Sequence, residues 1–176
     1  MEEMLDVYDK MGNYVGVKPK SFCHGENPGV YYKPVWIWII NSKGEILLQK
    51  RSSTKKIFPN RWDHAVCGHV KSGESAIDAC VREVNEELGL KFDKKQFVFI
   101  GEFLEQIYWH IGQIYFLKAD IDISKLKLQK EEVDQVKWVD INGLKEILFS
   151  EQFGPFLDEY KHWIFEKIKK EVNGES

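Results

Sequence analysis

Residues 68–90 read GHVKSGESAIDACVREVNEELGL, and this stretch decides both the fold and the chemistry expected of the chain. A glycine-containing turn leads into a short helix that stops at Gly89. Three glutamates of this helix, Glu83, Glu86 and Glu87, are spaced so that their side chains are neighbours on the helix surface. Carboxylates at this density repel one another unless a cation lies among them. The stretch therefore predicts a divalent-metal site beside a backbone turn, which suggests chemistry on phosphates.

The apolar residues of the same helix follow a helical period. At ~100° per residue they fall within ~60° of one another, which predicts a buried stripe of Ile77, Val81, Val84 and Leu88. The three glutamates are then expected on the opposite side, together with Ala76 and Ala79, which would let a loop or ligand approach closely. Ser72 or Ser75 is expected to cap the first turn, and Gly89 to supply the left-handed stop.

The alternative for such a glutamate cluster is a helix face exposed to solvent. A solvated acidic face normally carries lysines four residues from its glutamates, because these pairs relieve the repulsion. Between residues 72 and 90 the only basic residue is Arg82. The metal-site interpretation is therefore favoured.

The spacing of these residues resembles the Nudix box, GX5EX7REUXEEXGU, where U is an aliphatic residue. Every defined position is matched between Gly68 and Leu90, and so many matched positions make the signal specific. The resemblance implies a hydrolase that cleaves the pyrophosphate bond of a nucleoside diphosphate derivative or a related organic diphosphate, with Mg²⁺ or Mn²⁺ as cofactor. It also implies an α/β (α+β) fold, namely an α/β/α sandwich with a mixed β-sheet.

The resemblance also assigns roles within the box. The implied metal ligands are Glu83, Glu86 and Glu87. Glu86 is also expected to be catalytic, and Arg82 and Glu74 are expected to orient the carboxylates and the turn by ion pairing. The box does not identify the general base, because its position varies in this family. Besides a box glutamate, the candidates are Glu102, Glu105, Glu131 and Glu132.

Substrate contacts are expected from three residues around the box, Arg51, Gly68 and His69. Arg51 ends a predicted strand, where its guanidinium would bind a phosphate through two hydrogen bonds. The sequence leaves His64 and His110 ambiguous between structural, substrate-binding and metal-binding roles. Eight aromatic residues are candidates for a nucleobase slot, although aromatic side chains more often pack in cores: Tyr31, Tyr32, Trp36, Trp38, Phe58, Trp62, Tyr108 and Trp109.

Residues 58–74 (FPNRWDHAVCGHVKSGE) also resemble the isopentenyl-diphosphate isomerase branch of the superfamily. In that branch a Cys-Gly-His sequence precedes the box, the cysteine is catalytic and the histidine binds metal. Cys67 and His69 stand at these places here, and His24 lies roughly where the branch has another metal histidine. The resemblance implies an alternative isomerase site formed by Cys67, His69 and His24.

Three departures from the isomerase branch favour hydrolysis. Its second upstream histidine falls near Tyr32, a poor metal ligand. Its later Glu-x-Glu pair has no match in residues 110–114 (HIGQI). The REVNEE segment, which commonly carries substitutions in that branch, is intact here. As a hydrolase, the chain would use Cys67 as a small buried residue at the end of its strand, with the backbone carbonyl free to face the metal. A catalytically silent nucleotide-sensing module is a third hypothesis, but silent members should lose box glutamates.

Length and composition are those of a compact enzyme. The 176 residues, 43% hydrophobic and 30% charged, suit a single domain over residues 1–176. A net charge of −3 disfavours nucleic-acid binding. Three cysteines without framework spacing, no signal peptide and no apolar run near ~20 residues predict a cytoplasmic protein without a membrane segment. The expected partner is a small-molecule diphosphate, and the aromatic-rich composition makes a homodimer plausible.

The segments around the box show strand and helix patterns. Strands are predicted at residues 5–8, 14–17, 35–40, 45–49, 97–103, 113–117 and 136–139, and the first two form an N-terminal hairpin within about 1–20. Helices are predicted at residues 142–149 and at about 156–172. The run VWIWII at residues 35–40 is apolar throughout, as expected of a strand covered on both faces, and Trp36 and Trp38 are expected to share one face.

Overall fold

The computed structural model describes residues 2–25, 28–106 and 108–175, and within them ten strands form one mixed β-sheet. The strands are β1 Met4–Tyr8, β2 Tyr14–Pro19, β3 Tyr31–Tyr32, β4 Pro34–Ile40, β5 Ile46–Arg51, β6 Trp62–Asp63, β7 Val66–His69, β8 Phe97–Glu105, β9 His110–Lys118 and β10 Val133–Val139. The helices are α1 Lys20–Cys23, α2 Ala76–Leu88, α3 Ile141–Leu148 and α4 Asp158–Asn173.

The sheet is mixed because two of its strand pairs are parallel. Its main path runs β10-β5-β4-β9-β3-β1-β2, with β6 beside β5, β7 beside β4 and β8 beside β9. Strand β9 runs parallel to β4 and to β3, and the remaining pairs are antiparallel. The N-terminal hairpin β1–β2 joins this sheet through the pairing of β1 with β3. The mixed sheet predicted from the sequence is confirmed.

Strand β4 forms the centre of the protein, and all seven of its residues are buried. One face, which carries Trp36, Trp38 and Ile40, packs in a core with side chains of α3 and α4. The other face carries Val35, Ile37 and Ile39 and packs in a second core with side chains of α2. Helices therefore cover both faces of the sheet, and the predicted α/β/α sandwich is confirmed.

Helix α2 is capped as the sequence predicts. Of the two candidate serines, Ser75 is the N-cap, and its hydroxyl accepts a hydrogen bond from the backbone N–H of Asp78 at 3.2 Å. Gly89 ends the helix with a φ of 72°, in the left-handed region that glycine adopts without strain. Among the described residues, no helix combines the length and apolar character needed to cross a bilayer.

The buried face of α2 matches the predicted stripe only in part. Val84 and Leu88 are fully buried, whereas Ile77 and Val81 are only partly buried. The opposite side, expected to let a loop or ligand approach closely, is covered by protein at Ala79, which is fully buried, and at Glu87, which is 3% exposed. The reason is a second neighbour of the helix, because the loop before β10 covers its C-terminal end: the backbone N–H of Gln129 donates to the carbonyl of Glu87.

Candidate active site

The box glycine allows helix α2 to lie close to strand β7. Gly68 belongs to β7, and a Cβ atom added to it would lie 2.0 Å from Cδ of Glu83 and 2.4 Å from its Oε1. Any larger residue at this position must displace the Glu83 side chain. The glycine of the motif therefore sets the place of the first box carboxylate.

Gly68→Ala should impair catalysis without unfolding the protein, because the added methyl group meets the mobile end of a side chain rather than backbone. Since Glu83 is a predicted metal ligand, we expect roughly a 10- to 100-fold loss in metal affinity or activity. Calorimetric titration with Mn²⁺ and rate measurements would show it. The matched control is Gly143→Ala, whose Cβ would lie no closer than 3.3 Å to its neighbours. Equal effects of the two substitutions would contradict this expectation.

Arg82 ties the turn, the strand and the helix of the box together. Its Nε and Nη2 atoms donate to the two carboxylate oxygens of Glu74, each at 2.8 Å. Nη2 also donates to the carbonyl of His69 at 2.8 Å, and Nη1 lies 2.6 Å from Oε1 of Glu83 and 3.1 Å from Oε2 of Glu86. Burial raises the pKa of Glu74, but the hydrogen bonds from Arg82 outweigh it and leave the pKa below its usual range. These are the ion pairs that the family resemblance implies.

Glu87 is a buried carboxylate that lacks a hydrogen bond on one oxygen. Its Oε2 has no hydrogen-bond partner among the described residues. Burial raises its pKa well above the usual range, and the nearby negative charges of Glu83, Glu132 and Asp63 raise it further. Burial likewise raises the pKa of Glu83 to about 6. Burial and mutual repulsion thus disfavour the ionised carboxylates of Glu83 and Glu87, and a bound cation would remove this cost in free energy.

The chemistry of the donor set fits a hard divalent cation. Glu83, Glu86 and Glu87 offer only carboxylate oxygens, which are the ligands that Mg²⁺ and Mn²⁺ prefer. Arg82 contacts one oxygen of Glu83 and one of Glu86, and it does not contact Glu87 in the described hydrogen bonds. The residues present therefore fit the metal that the family resemblance implies.

The four candidate bases that lie outside the box have different surroundings in the structure. The charge of Glu132 acts on Glu87 and raises its pKa, and Glu132 also forms an ion pair with Lys55. Glu105 is fully buried and accepts a hydrogen bond from the backbone N–H of Leu157 at 3.1 Å, so it holds the start of α4. Glu131 is exposed to solvent, and Glu102 forms an ion pair with Lys33 at 3.1 Å.

Arg51 lies at the end of β5, within electrostatic reach of the box. Its Nε and Nη2 donate to the carbonyl of Ile57 at 3.2 and 3.0 Å, and its Nη1 lies 3.4 Å from Oδ2 of Asp63. Its positive charge opposes the rise in the pKa of Glu87. The structure thus brings the predicted phosphate-binding arginine to the same side of the molecule as the box carboxylates.

His24 and His69 are brought together although they are far apart in sequence. Their Nε2 atoms lie 2.8 Å apart, and the ring of Tyr32 stacks on His69 with centroids 5.5 Å apart. Burial, followed by the positive charges of neighbours such as Lys20, lowers the pKa of His69 well below its usual range, so its ring is neutral. Cys67 lies two residues before His69 on the same strand, and therefore on the same face of the sheet.

Cys67 is partly buried against the core that α3 and α4 cover, and its thiol also has polar partners. Its Sγ donates to Oδ1 of Asp63 at 3.5 Å and lies 3.2 Å from Nδ1 of His64. Burial raises the pKa of this thiol well above its usual range, and the charge of Asp63 raises it further. The cysteine is therefore a protonated, partly buried thiol beside the buried side chains of Asp63 and His64.

A buried hydrogen-bond network behind Cys67 is the main feature that sequence reasoning missed. His64 is fully buried; its Nδ1 donates to Oδ1 of Asp63 at 2.6 Å, and its Nε2 accepts from the hydroxyl of Tyr160 at 2.5 Å. Trp38 Nε1 donates to the same hydroxyl at 3.2 Å. Ligand atoms of Asp63, His64 and Cys67 lie within 4.8 Å of one another. Hydrogen bonds already occupy both ring nitrogens of His64, so the cluster is explained without a metal.

Comparisons with known proteins agree with this geometry. The NUDIX domain family matches residues 31–164. A Nudix hydrolase of Listeria innocua is 32% identical over 158 residues, covering 86% of this chain and 90% of the relative. Isopentenyl-diphosphate Delta-isomerase 2 of Photorhabdus laumondii is 31% identical over 183 residues, covering 99% of this chain and 93% of the relative. A crystal structure of a Deinococcus radiodurans protein shares the fold, with a TM-score of 0.71 and 22% identity over 96% of this chain and 98% of the other.

Proposed function

Because this chain belongs to the Nudix family, we propose that it hydrolyses the pyrophosphate bond of a nucleoside diphosphate derivative or a related organic diphosphate. Mg²⁺ or Mn²⁺ would be held by Glu83, Glu86 and Glu87. The observation that carries the proposal is the carboxylate of Glu87, which is 3% exposed and has no hydrogen-bond partner for Oε2 among the described residues. A cation at this point gives a reason for an otherwise unfavourable arrangement.

The reaction requires water to attack an anionic phosphorus. The water oxygen forms a bond to phosphorus, the bridging P–O bond breaks, and its electron pair stays on the leaving phosphate. A divalent cation, when bound, neutralises phosphate charge and makes the water more acidic. Arg51 binds a phosphate through its guanidinium, and Arg82 holds the carboxylates in place through its contacts with Glu74 and Glu83. The proton of the water passes to a box glutamate or to Glu132, whose charge acts on Glu87.

The setting of the reaction follows from the cysteines and the topology. Cys23, Cys67 and Cys80 are free thiols, which supports a reducing compartment and hence the cytoplasm. The N-terminal hairpin shares the central sheet, which supports one domain over residues 1–176. The partner is a small-molecule diphosphate. The homodimer stays a prediction that light scattering on the purified protein would test.

A substrate panel tests the proposal. Purified protein would be incubated with Mg²⁺ or Mn²⁺ and with nucleotide sugars, dinucleoside polyphosphates, nucleoside triphosphates and thiamine-type diphosphates. Ion-exchange chromatography would then resolve the products. We expect metal-dependent release of phosphate or a monophosphate product from at least one class. If none of these substrates were cleaved with either metal, the proposal would be overturned.

Isomerisation of isopentenyl diphosphate is the second candidate, and the positions of the three residues of the alternative site support it. His24 and His69 face each other at 2.8 Å, and Cys67 lies on the same face of β7 as His69. The Glu-x-Glu pair of that branch has no match at the start of β9, which reads HIGQI. Hydrolysis therefore keeps the higher rank, and the intact box glutamates also disfavour a silent sensing module.

The isomerase candidate has a direct test. We expect no conversion of isopentenyl to dimethylallyl diphosphate in the presence of Mg²⁺, and we expect Cys67→Ala to retain diphosphate hydrolysis. Proton NMR follows the position of the double bond, and product chromatography follows hydrolysis. Conversion by the wild type that is lost in Cys67→Ala would reverse the ranking.

A further inference from the structure

His110, the first residue of β9, is buried without hydrogen bonds. It is 7% exposed, and neither Nδ1 nor Nε2 has a hydrogen-bond partner among the described residues. Burial lowers its pKa to about 3, with further lowering by the charges of His24 and His64. The ring is therefore neutral near pH 7, and it offers one N–H donor and one acceptor nitrogen. Buried polar groups in folded proteins are almost always paired, so an unpaired one needs an explanation.

The surroundings of His110 connect it to the proposed active site. Its ring makes edge contacts with Tyr32 and Trp36, at centroid distances of 5.5 and 5.2 Å. Tyr32 in turn stacks on His69, the residue that follows the box glycine. His110 thus lies one aromatic ring away from the start of the box, among side chains that offer stacking surfaces but leave its nitrogens unpaired.

The ring of Tyr108 also stacks on His110. The two rings are nearly parallel, with an interplanar angle of 23° and centroids 6.2 Å apart, and Tyr108 also contacts the ring edge of Phe58 at 5.0 Å. Phe58 and Trp109 have positive φ angles of 51° and 53°, which are unfavourable for bulky residues and occur most often at functional sites. The Tyr108 ring therefore lies between Phe58 and His110, and strained backbone stands at Phe58 and at Trp109, directly after Tyr108.

We propose that His110 binds an uncharged hydroxyl or amide group in the non-phosphate part of the substrate, once the Tyr108 ring moves aside. Such a group supplies the missing hydrogen-bond partner, whereas a hydrocarbon tail would leave both nitrogens unpaired. The substrate class is therefore a diphosphate that carries a sugar or nucleobase. This inference rests on the proposed function, because it takes the diphosphate to lie at the box carboxylates.

His110→Leu tests the inference, because it removes both nitrogens and keeps an apolar side chain. We expect the melting temperature to rise by about 2–4 °C, since no buried polar group is then left unpaired. We expect kcat/KM for the best sugar- or nucleobase-bearing substrate to fall by roughly 10- to 100-fold. His110→Asn, which keeps a donor and an acceptor, should retain more activity than His110→Leu. The control is His162→Leu on exposed α4 surface, which should change neither quantity.

The outcomes separate this inference from the function on which it rests. An unchanged kcat/KM in His110→Leu overturns the inference and leaves hydrolysis standing, as does a loss of stability and activity together with no rescue by asparagine. If the wild type cleaves no diphosphate, the proposed function fails. In that case the rise in melting temperature that ADP-ribose causes without metal decides the role of His110. A smaller rise in His110→Leu than in the wild type supports the inference. An equal rise in both proteins, or no rise in the wild type, overturns it.

Discussion

Replacing Glu87 by glutamine should lower the rate of metal-dependent diphosphate hydrolysis by about 1,000-fold. Glutamine keeps the shape of the side chain but removes the charge that is proposed to hold the cation. In metal-free buffer the same change should stabilise the fold, because Glu87 is buried and its carboxylate lies near the charges of Glu83 and Glu132. The measurements are kcat at saturating Mg²⁺ and the melting temperature in EDTA.

A lower kcat together with a higher melting temperature distinguishes a metal ligand from a residue that only supports the fold. The matched control is Glu131→Gln, since Glu131 is exposed, and it should change neither rate nor stability. Glu86→Gln should lower the rate to a similar degree. Full activity in both the Glu86→Gln and the Glu87→Gln variant would refute the assigned metal site.

Asp63→Ala should reduce the free energy of unfolding by about 3–5 kcal/mol, as expected when one partner of a buried ionic network is removed. Burial raises the pKa of Asp63, but the hydrogen bonds from His64 and the charge of Arg51 lower it below its usual range, so the group is ionised. The alanine variant leaves His64 Nδ1 without its acceptor and Arg51 without its ion pair.

Urea unfolding at pH 7 measures the effect of Asp63→Ala. The control is Asp134→Ala, at an exposed position of β10, where a change within about 0.5 kcal/mol is expected. A loss below about 1 kcal/mol for Asp63→Ala would show that the network contributes little to the fold.

The box could be recognised from sequence because each of its positions meets a local geometric requirement. Gly68 leaves room for Glu83, and Arg82 reaches back eight residues to Glu74. Such constraints between residues close in sequence appear as a fixed spacing of residue types along the chain. The central strand β4 was equally readable, because burial on both faces gives an unbroken apolar run. These two features were enough to predict the layered fold.

The short strands escaped prediction for a physical reason. Strands β3, β6 and β7 have two to four residues, too few to show an alternating pattern. They are held by pairing with distant strands, as in the contact of Tyr32 with His110 between β3 and β9. Their existence depends on tertiary structure and not on a local preference.

The burial of Glu87 was missed because a helical wheel assumes that one face of the helix meets the protein. The loop before β10 provides a second contact, in which the backbone N–H of Lys127 donates to the carbonyl of Leu88. The position of this loop is not encoded in the helix itself. A periodic pattern therefore located the glutamates on the helix but not the depth at which each one lies.

The buried network and the unpaired histidine are the parts of the site that no local signal reveals. Trp38 and Tyr160 are 122 residues apart and meet through one hydrogen bond. His64 and His110 look alike in the sequence, yet hydrogen bonds satisfy both nitrogens of His64 and neither nitrogen of His110 among the described residues. This difference separates a structural histidine from a candidate for substrate binding, and only the three-dimensional contacts show it.

Oxygen-isotope labelling tests the central claim, that water attacks a phosphorus of the diphosphate. The best substrate of the panel would be turned over with Mg²⁺ in H₂¹⁸O, and mass spectrometry would count the label in each product. We predict one ¹⁸O atom in one phosphate-containing product per bond cleaved, and about 1,000-fold slower formation of labelled product in the Glu87→Gln variant. Turnover that leaves the phosphates unlabelled and the diphosphate intact, with only a carbon–carbon double bond moved, would contradict the account.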